Sequence, residues 1–396
     1  MVSLRQLFLN NIAQTSPSPL MLEIESAKGV FLYDRNGKAY YDAISGVNVS
    51  ALGHNHPAII EAAKNQLDRH MHVMVYGELI QSVQVEYASL LTSYLPENLE
   101  SVYFVNSGSE AIEGALKLAK KYTGRSEMIS FKKSYHGSTH GSLSIMGDEY
   151  FKKGYRPLLP DVRHLEFNDI HELENITEKT ACVIAEVIQA EAGVRIPEGS
   201  FLKSIGDRCR ETGALLILDE IQTGFGRTGT LFGFESVDII PDILVLAKSF
   251  GGGMPLGAFI AGRDIMEVLS FDPVLGHITT FGGHPIACAT GKATMEVILD
   301  ENLAEQSLKK EKLFRECLTN ENIREIRGRG LMLAVELGDS TRMHAVVNRG
   351  LETGFLTDWF LFCDTAFRIS PPMNITEDEI IGLCNLMNEA IDFAFS

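Results

Sequence analysis

The chain has 396 residues, 45% hydrophobic and 22% charged, with a formal net charge of -17 and a pI near 5.1. That length exceeds what one core usually serves, so two domains are expected, and the composition is that of an ordinary globular protein rather than a disordered one. The negative charge would repel phosphate backbones and anionic lipid, which disfavours nucleic-acid and membrane-surface roles and leaves small-molecule chemistry.

The first twenty residues, MVSLRQLFLNNIAQTSPSPL, hold one apolar cluster but no long apolar core and no small-residue cleavage site, so no secretory leader is expected. No later stretch is apolar enough to span a bilayer, and a cytoplasmic location is the expectation. Six cysteines (Cys182, Cys209, Cys288, Cys317, Cys363 and Cys384) are widely dispersed without a CxxC pair and read as reduced, mostly buried side chains. VFLYDRNGKAYYDA, residues 30–43, predicts a hairpin turned at Asn36-Gly37. Further on, SVYFVN (101–106) predicts a strand, and the helix after it places Ala111, Ile112, Ala115, Leu116, Ala119 and Tyr122 on one face.

Apolar runs follow at 128–131, 181–187, 214–220, 242–248 and 257–262, separated by helical stretches such as FLKSIGDRCRET. Continuous runs of this kind suit strands buried on both faces of a mostly parallel sheet, hence a three-layer α/β domain. Beyond about residue 290 the pattern changes to a long polar helix, then GLMLAVEL, then a final helix from Thr376. The expected organisation is a large domain over 46–290 and a smaller α+β domain built from both chain ends, 1–45 and 291–396.

LDEIQTGFGRTG (218–229) holds glycines in the spacing GxGxxG and poses the question of dinucleotide binding. A dinucleotide fingerprint needs its glycines to turn a strand directly into a helix whose free amides meet the pyrophosphate. Here TLFGFESVDIIPDI follows, with no amphipathic period, and DEIQT separates the strand from the first glycine. A nicotinamide oxidoreductase therefore rests on the glycines alone.

More informative are Asp219 and Glu220, carboxylates at the end of an apolar strand, where burial is costly without a cationic partner and where open α/β sheets bind ligands. Lys248 closes the next apolar run, ahead of three consecutive glycines that let a backbone approach a ligand closely. A pyridinium cofactor needs both groups: a carboxylate for the ring nitrogen and an amine for a Schiff base at its aldehyde. NSGSEA (106–111) offers a phosphate cradle, with Gly108 and Ser109 at a helix start, although Ser107 and Glu110 also read as a simple capping box.

With these residues in place the chain resembles the class III (ω-amino-acid) aminotransferases, and within them the acetylornithine and ornithine enzymes. The resemblance rests on LGHNHP, NSGSEAIEGALKLAKKYTGR, SYHGST, AEVIQAEAG, LDEIQTGFGRTG, LAKSFGGGMPLGA, TTFGGHPIACA and FRISPP, in family order over nearly the whole chain. It implies fold type I of the pyridoxal 5'-phosphate enzymes, with Lys248 bonded to the cofactor and later acting as general base, and Asp219 keeping the pyridine nitrogen protonated. By the same resemblance Gln222 reaches the 3' hydroxyl, Tyr135 and Ile221 cover the two ring faces, Gly108 and Ser109 bind the phosphate, and Glu186 lies nearby. Thr280 would reach the phosphate across a homodimer interface, giving two shared sites.

Arg368 would hold a substrate carboxylate, with Glu191 as its pairing partner while a distal amine reacts. The implied reaction moves an amino group from a donor such as acetylornithine or ornithine to a 2-oxo acid such as 2-oxoglutarate or pyruvate. Three features bear on specificity: Ser138 stands where family members often carry an arginine that anchors a second carboxylate, Val187 replaces a usual proline, and SGVNVSALGH, with Val47 and Asn48, resembles the acetylornithine type more than the ornithine type. An aminomutase or decarboxylase would share the cofactor residues, and a cofactor-retaining binding protein is the non-enzymatic reading. The pairs His54/His56 and His70/His72 lack the cysteines or HExxH helix of zinc sites, so no metal is expected. Arg227, inside the glycine turn, reads as structural.

Overall fold

The computed structural model describes residues 2–396. Strands β1 (Ile24–Lys28), β2 (Phe31–Asp34) and β3 (Ala39–Asp42) form an antiparallel meander. Its β2–β3 turn is the expected one: Gly37 adopts φ 81, and Asp34 Oδ1 accepts the backbone N–H groups of Asn36 and Lys38 at 2.8 and 2.9 Å.

The central sheet holds β4 (Ser101–Val105), β5 (Glu127–Phe131), β6 (Val162–Leu165), β7 (Thr180–Glu186), β8 (Leu215–Asp219), β9 (Ile243–Leu246) and β10 (Gly257–Ala261), in the order β4-β10-β9-β8-β7-β5-β6. Strands β6, β5, β7, β8 and β9 run parallel, and β10 is antiparallel to both neighbours. Alternation along the buried strands sorts the two faces. Cys182, Ile184, Leu215, Ile217, Ile243 and Val245 pack with the helix Gly108–Thr123, while Val183, Ala185, Leu216, Leu218, Leu244 and Leu246 pack with the helix Phe201–Thr212. Each such side chain contributes roughly 1.5–3 kcal/mol of burial, so the three layers hold the strand ends rigidly. Tyr122, placed with the apolar face by its spacing, is 42% exposed in the last turn of its helix.

Beyond residue 300 come β11 (Glu325–Arg329), β12 (Met332–Glu336), β13 (Phe355–Leu356), β14 (Trp359–Phe360) and β15 (Cys363–Ile369). Strands β11, β12, β15 and β14 form a third sheet, whereas β13 adds in parallel to β3, so both chain ends share one sheet. The last helix, Glu377–Phe395, starts with a capping box between Thr376 and Glu379.

The glycine motif serves packing. A Cβ on Gly226 would stand 2.7 Å from Met373 Cε, and one on Gly229 would stand 2.5 Å from Leu308 Cδ2, so these glycines let the turn touch the C-terminal segments. Between them Arg227 is fully buried and donates to the carbonyls of Leu331 and Pro371; burial lowers its pKa to about 9. Only the short 3-10 turn Gly233–Val237 follows, with no α-helix to receive a pyrophosphate. No helix among the described residues is long and apolar enough to cross a membrane.

Candidate active site

A cavity of about 430 Å³ opens at the C-terminal ends of β7, β8 and β9. Gly108, Ser109, Tyr135, Glu186, Asp219, Ile221, Gln222 and Lys248, eight of the residues expected at the cofactor, all line it. Glu186 and Asp219 end adjacent strands in direct register. Two buried carboxylates side by side resist joint ionisation. Burial first, then repulsion by Asp219, pushes Glu186 well above the usual carboxylate range, although it accepts the backbone N–H groups of Tyr135 (3.1 Å) and Ala190 (3.0 Å).

Asp219 is held differently. Its Oδ1 accepts the Ile221 N–H at 3.0 Å, and its Oδ2 lies 2.7 Å from His136 Nδ1. His136 Nε2 is buried without a hydrogen-bond partner among the described residues. Sequence reasoning did not place His136 at the cofactor; its position two residues before Ser138 in SYHGST was the available signal. Glu220, expected to need a cation, is instead satisfied by Thr223 Oγ1 and the N–H groups of Gly233 and Phe234 at 2.6–2.8 Å, and burial raises its pKa to about 7. It points away from the chemistry and ties the glycine turn down.

Strand β9 stops at Leu246, so Lys248 does not end the strand but opens the 3-10 turn Lys248–Gly251 in the left-handed region, φ 55. Such a backbone costs on the order of 1–3 kcal/mol and persists where the surroundings enforce it. Ser249 Oγ helps, donating to the Asn48 carbonyl at 2.6 Å. Lys248 lines the cavity, and burial of its amine lowers the pKa to about 8, with Glu191 opposing the shift and Arg368 adding to it.

The helix Gly108–Thr123 points its N-terminus into the same cavity. Ser107 Oγ accepts the Glu110 N–H at 3.2 Å, but the reciprocal half of the expected capping box is absent: Glu110 Oε2 takes the backbone and side-chain N–H groups of Asn106, both at 2.8 Å. The amides of Gly108 and Ser109 thus keep no intrahelical acceptor and remain available to an anion. A Cβ on Gly108 would stand 2.7 Å from Ile221 Cδ1, so that cradle exists because the residue is glycine.

Next to the cavity lies a polar cluster. Arg368 Nη2 donates to both oxygens of Glu191, at 3.0 and 3.2 Å, and its Nη1 donates to Gln222 Oε1 at 3.3 Å. Gln222 Nε2 returns a bond to Glu191 Oε1 at 3.2 Å, and Gln222 Oε1 also accepts from Asn48 Nδ2 at 3.0 Å. Burial works against ionising Glu191, but Arg368 and Lys248 together hold its carboxyl below the usual range. The guanidinium lies over the Phe360 ring, 4.5 Å from its centroid, and Nε donates to Asp358 Oδ1 at 2.9 Å. Asn48 stands out in the sequence only through the acetylornithine-like SGVNVSALGH, and Asp358 carries no sequence signal. The first sits in a turn whose four residues, Ser45–Asn48, all have φ between 45 and 67, a conformation that nothing in SGVN announces.

Ser138 is exposed at the cavity mouth, its N–H on Ser109 Oγ and its own Oγ 3.3 Å from the Tyr135 hydroxyl. Thr280 is exposed and lies outside the cavity lining of this chain. Among the described residues no three histidine, cysteine or carboxylate side chains cluster as metal ligands; His54 bonds Asp42 at 2.9 Å and His72 stacks on His284.

A family model described as Aminotransferase class-III matches residues 12–391. The acetylornithine aminotransferase of Methanopyrus kandleri is 42% identical over 358 residues, 89% of this chain and 90% of that protein. That of Bacillus subtilis is 38% identical over 378 residues, 93% of this chain and 95% of the relative. Among solved structures, the ornithine aminotransferase of Toxoplasma gondii, with PLP at partial occupancy in its active site, superposes with a TM-score of 0.91 at 30% identity, covering 98% of this chain and 93% of that one.

Proposed function

On the premise that this chain belongs to the class III aminotransferases and is a pyridoxal 5'-phosphate-dependent transaminase, we propose that its donor is an amino acid with a distal amine, of the ornithine or acetylornithine kind, and its acceptor a 2-oxo acid. The observation that carries the reading is the convergence of three groups on one cavity: the Lys248 amine, the Asp219 carboxylate and the open amides of Gly108 and Ser109. A pyridine aldehyde phosphate has one point of attachment for each of them. When bound, this cofactor supplies an electron sink for the carbon that bears the reacting amine and carries the amino group between half-reactions.

The residues divide the remaining work. Gly108 and Ser109 bind the phosphate through backbone N–H groups and the helix dipole. Asp219, braced by His136, holds a proton at the ring nitrogen. Tyr135 and Ile221 are the walls for the ring, and Gln222 is the donor or acceptor for its hydroxyl. Lys248 Nζ would hold the cofactor through its aldehyde carbon and would move the proton at the reacting carbon, a role that suits an amine whose pKa burial lowers to about 8. Arg368 receives a substrate carboxylate when Glu191 releases it, so one site serves a distal amine and a 2-oxo acid in turn.

Residues 46–290 act as the cofactor-binding domain and the two chain ends as the second domain, in a cytoplasmic homodimer. Thr280 lies in a surface segment where Phe271, Val274, Leu275, Ile278 and Phe281 are all exposed, an apolar run of the kind that a second copy covers. The test is a half-reaction screen: holoenzyme is mixed with one amino acid at a time and the visible absorbance of the lysine-bound cofactor is followed. Rapid loss with ornithine or acetylornithine and recovery with 2-oxoglutarate or pyruvate is expected. No loss with any distal amine, cofactor still bound, refutes the donor assignment.

A further inference from the structure

Gln222 lines the cavity and also touches the Arg368–Glu191 pair, and its amide is nearly saturated. Oε1 accepts from Asn48 Nδ2 at 3.0 Å and from Arg368 Nη1 at 3.3 Å, which occupies both lone pairs, while Nε2 gives one hydrogen to Glu191 Oε1 at 3.2 Å. This orientation is forced. Turned over, the amide would set its own N–H groups against two donors and its oxygen against a carboxylate. What remains for a ligand in the cavity is the second Nε2 hydrogen, so Gln222 meets the ring oxygen of the cofactor as a donor.

Two of the three contacts that fix Gln222 belong to groups that change partners. Glu191 withdraws when a substrate carboxylate takes the Nη edge of Arg368, and Asn48 is the contact left unchanged. It is anchored on its own: its carbonyl accepts Ser249 Oγ at 2.6 Å, one residue from Lys248, and its side chain is buried. Asn48 Oδ1 has no hydrogen-bond partner among the described residues, and burying an amide with its oxygen unmet costs stability. The left-handed backbone, φ 67, suits asparagine but suits glycine better. Backbone demand therefore accounts neither for the amide nor for its aim at Gln222.

We propose that Asn48 is a positioning residue that keeps Gln222 turned as a donor to the cofactor's ring oxygen while the Glu191–Arg368 pair is open. This rests on the reading of that pair as a gate and of Gln222 as the partner of the ring hydroxyl. The ring oxygen shares the proton of the lysine–cofactor link, so an N–H donated to it weakens its hold on that proton. The link then loses the proton at lower pH. With Asn48 gone and the pair open, Gln222 turns freely and the midpoint of that loss rises.

The experiment is a pH titration of the visible absorbance of lysine-bound cofactor in four holoenzymes: native, Asn48→Gly, Glu191→Ala and the double variant. Glycine keeps the left-handed turn and the carbonyl that meets Ser249, and removes only the amide. Arg368, Asp219 and Glu186, the other charged or acidic groups acting on Lys248, are the same in all four. Asn48→Gly is expected to raise the midpoint more in the Glu191→Ala background than in the native one, by about half a pH unit or more, roughly threefold in proton affinity. A smaller difference, whether Asn48→Gly is silent in both backgrounds or equally effective in both, overturns the proposal and returns Asn48 to a purely structural role. Should the double variant lose its cofactor, the single variant decides, with propionate added to occupy Arg368: a rise in midpoint larger than the native rise supports the proposal, and equal rises overturn it. No amino donor enters the titration, so a failed donor screen leaves this test standing. A native protein that binds pyridoxal phosphate without a visible link to Lys248 refutes the cofactor reading and this inference with it.

Discussion

Replacing Glu191 by glutamine should tilt the site toward carboxylates. In the native chain both Glu191 oxygens accept from Arg368 Nη2, at 3.0 and 3.2 Å, so a substrate carboxylate must displace an ion pair to reach that edge. Two unit charges about 4 Å apart attract by about 4 kcal/mol at an effective dielectric near 20. Much of this is offset by desolvation, and hydrogen bonds to charged groups contribute about 1.5–3 kcal/mol net. Glutamine keeps one acceptor for Nη2, so the lower end applies. A loss of about 1.4 kcal/mol in the competing pair strengthens carboxylate binding about tenfold. Asp358 remains on Nε at 2.9 Å, so Arg368 is not left as an orphan buried charge and the variant should fold. The assay is the half-saturating concentration of 2-oxoglutarate in the second half-reaction, expected to fall about tenfold in Glu191→Gln and further in Glu191→Ala. Because Glu191 raises the pKa of Lys248, the free amine in the apoprotein should also titrate below about 8 in these variants. An unchanged or raised half-saturating concentration, with the fold intact, refutes the gate.

Lys248→Ala should abolish turnover and the visible absorbance of covalently held cofactor; unchanged turnover would falsify its assignment. In the native apoprotein a lysine lowered from 10.5 to about 8 is neutral below the usual range, so capture of added cofactor should rise with pH and level off above about 8 rather than above 10. His136→Phe removes the partner 2.7 Å from Asp219 Oδ2 and leaves that carboxylate with one backbone donor, so cofactor affinity should fall about 10- to 100-fold in a titration of apoprotein, and an unaltered affinity would discard the bracing role. Gly137 has φ 120, and a Cβ there would collide with the Ser109 side chain; Gly137→Ala is therefore expected to displace Ser109 and weaken cofactor binding about tenfold while far-ultraviolet circular dichroism stays native.

The central sheet was legible because burial on both faces leaves an unmistakable trace: five near-continuous apolar runs each became a strand within two residues of its expected ends. Asp219, Lys248 and the start of the helix at Gly108 were legible for the same reason, since polar or glycine residues stand out where such runs stop. Lys248 itself was placed slightly wrong, at a strand end rather than in a left-handed turn, because a hydropathy run does not register a change in backbone hand. The contacts of His136 and Asn48 were not legible, on other grounds. Each acts by meeting one residue far away in the chain, Asp219 in one case and Gln222 in the other, and such pairings have no periodicity to detect. Glu220 shows the converse: a buried carboxylate looked catalytic or ion-paired by its cost, yet two backbone amides and a hydroxyl satisfy it.

These differences follow a division within the site. Every group of this chain assigned to the cofactor within the cavity comes from residues 108–248, with Thr280 outside its lining; there short connections at strand ends leave little choice of position. Arg368, Asp358 and Phe360 instead come from the arm around β14 and β15, and they reach the cavity only through Gln222 and Glu191. A change in that arm alters the charge around Arg368 without replacing Lys248, Asp219 or the phosphate cradle. Relatives can therefore share the reaction and the cofactor while differing around Arg368, where the apolar pattern of the sheet has already ended.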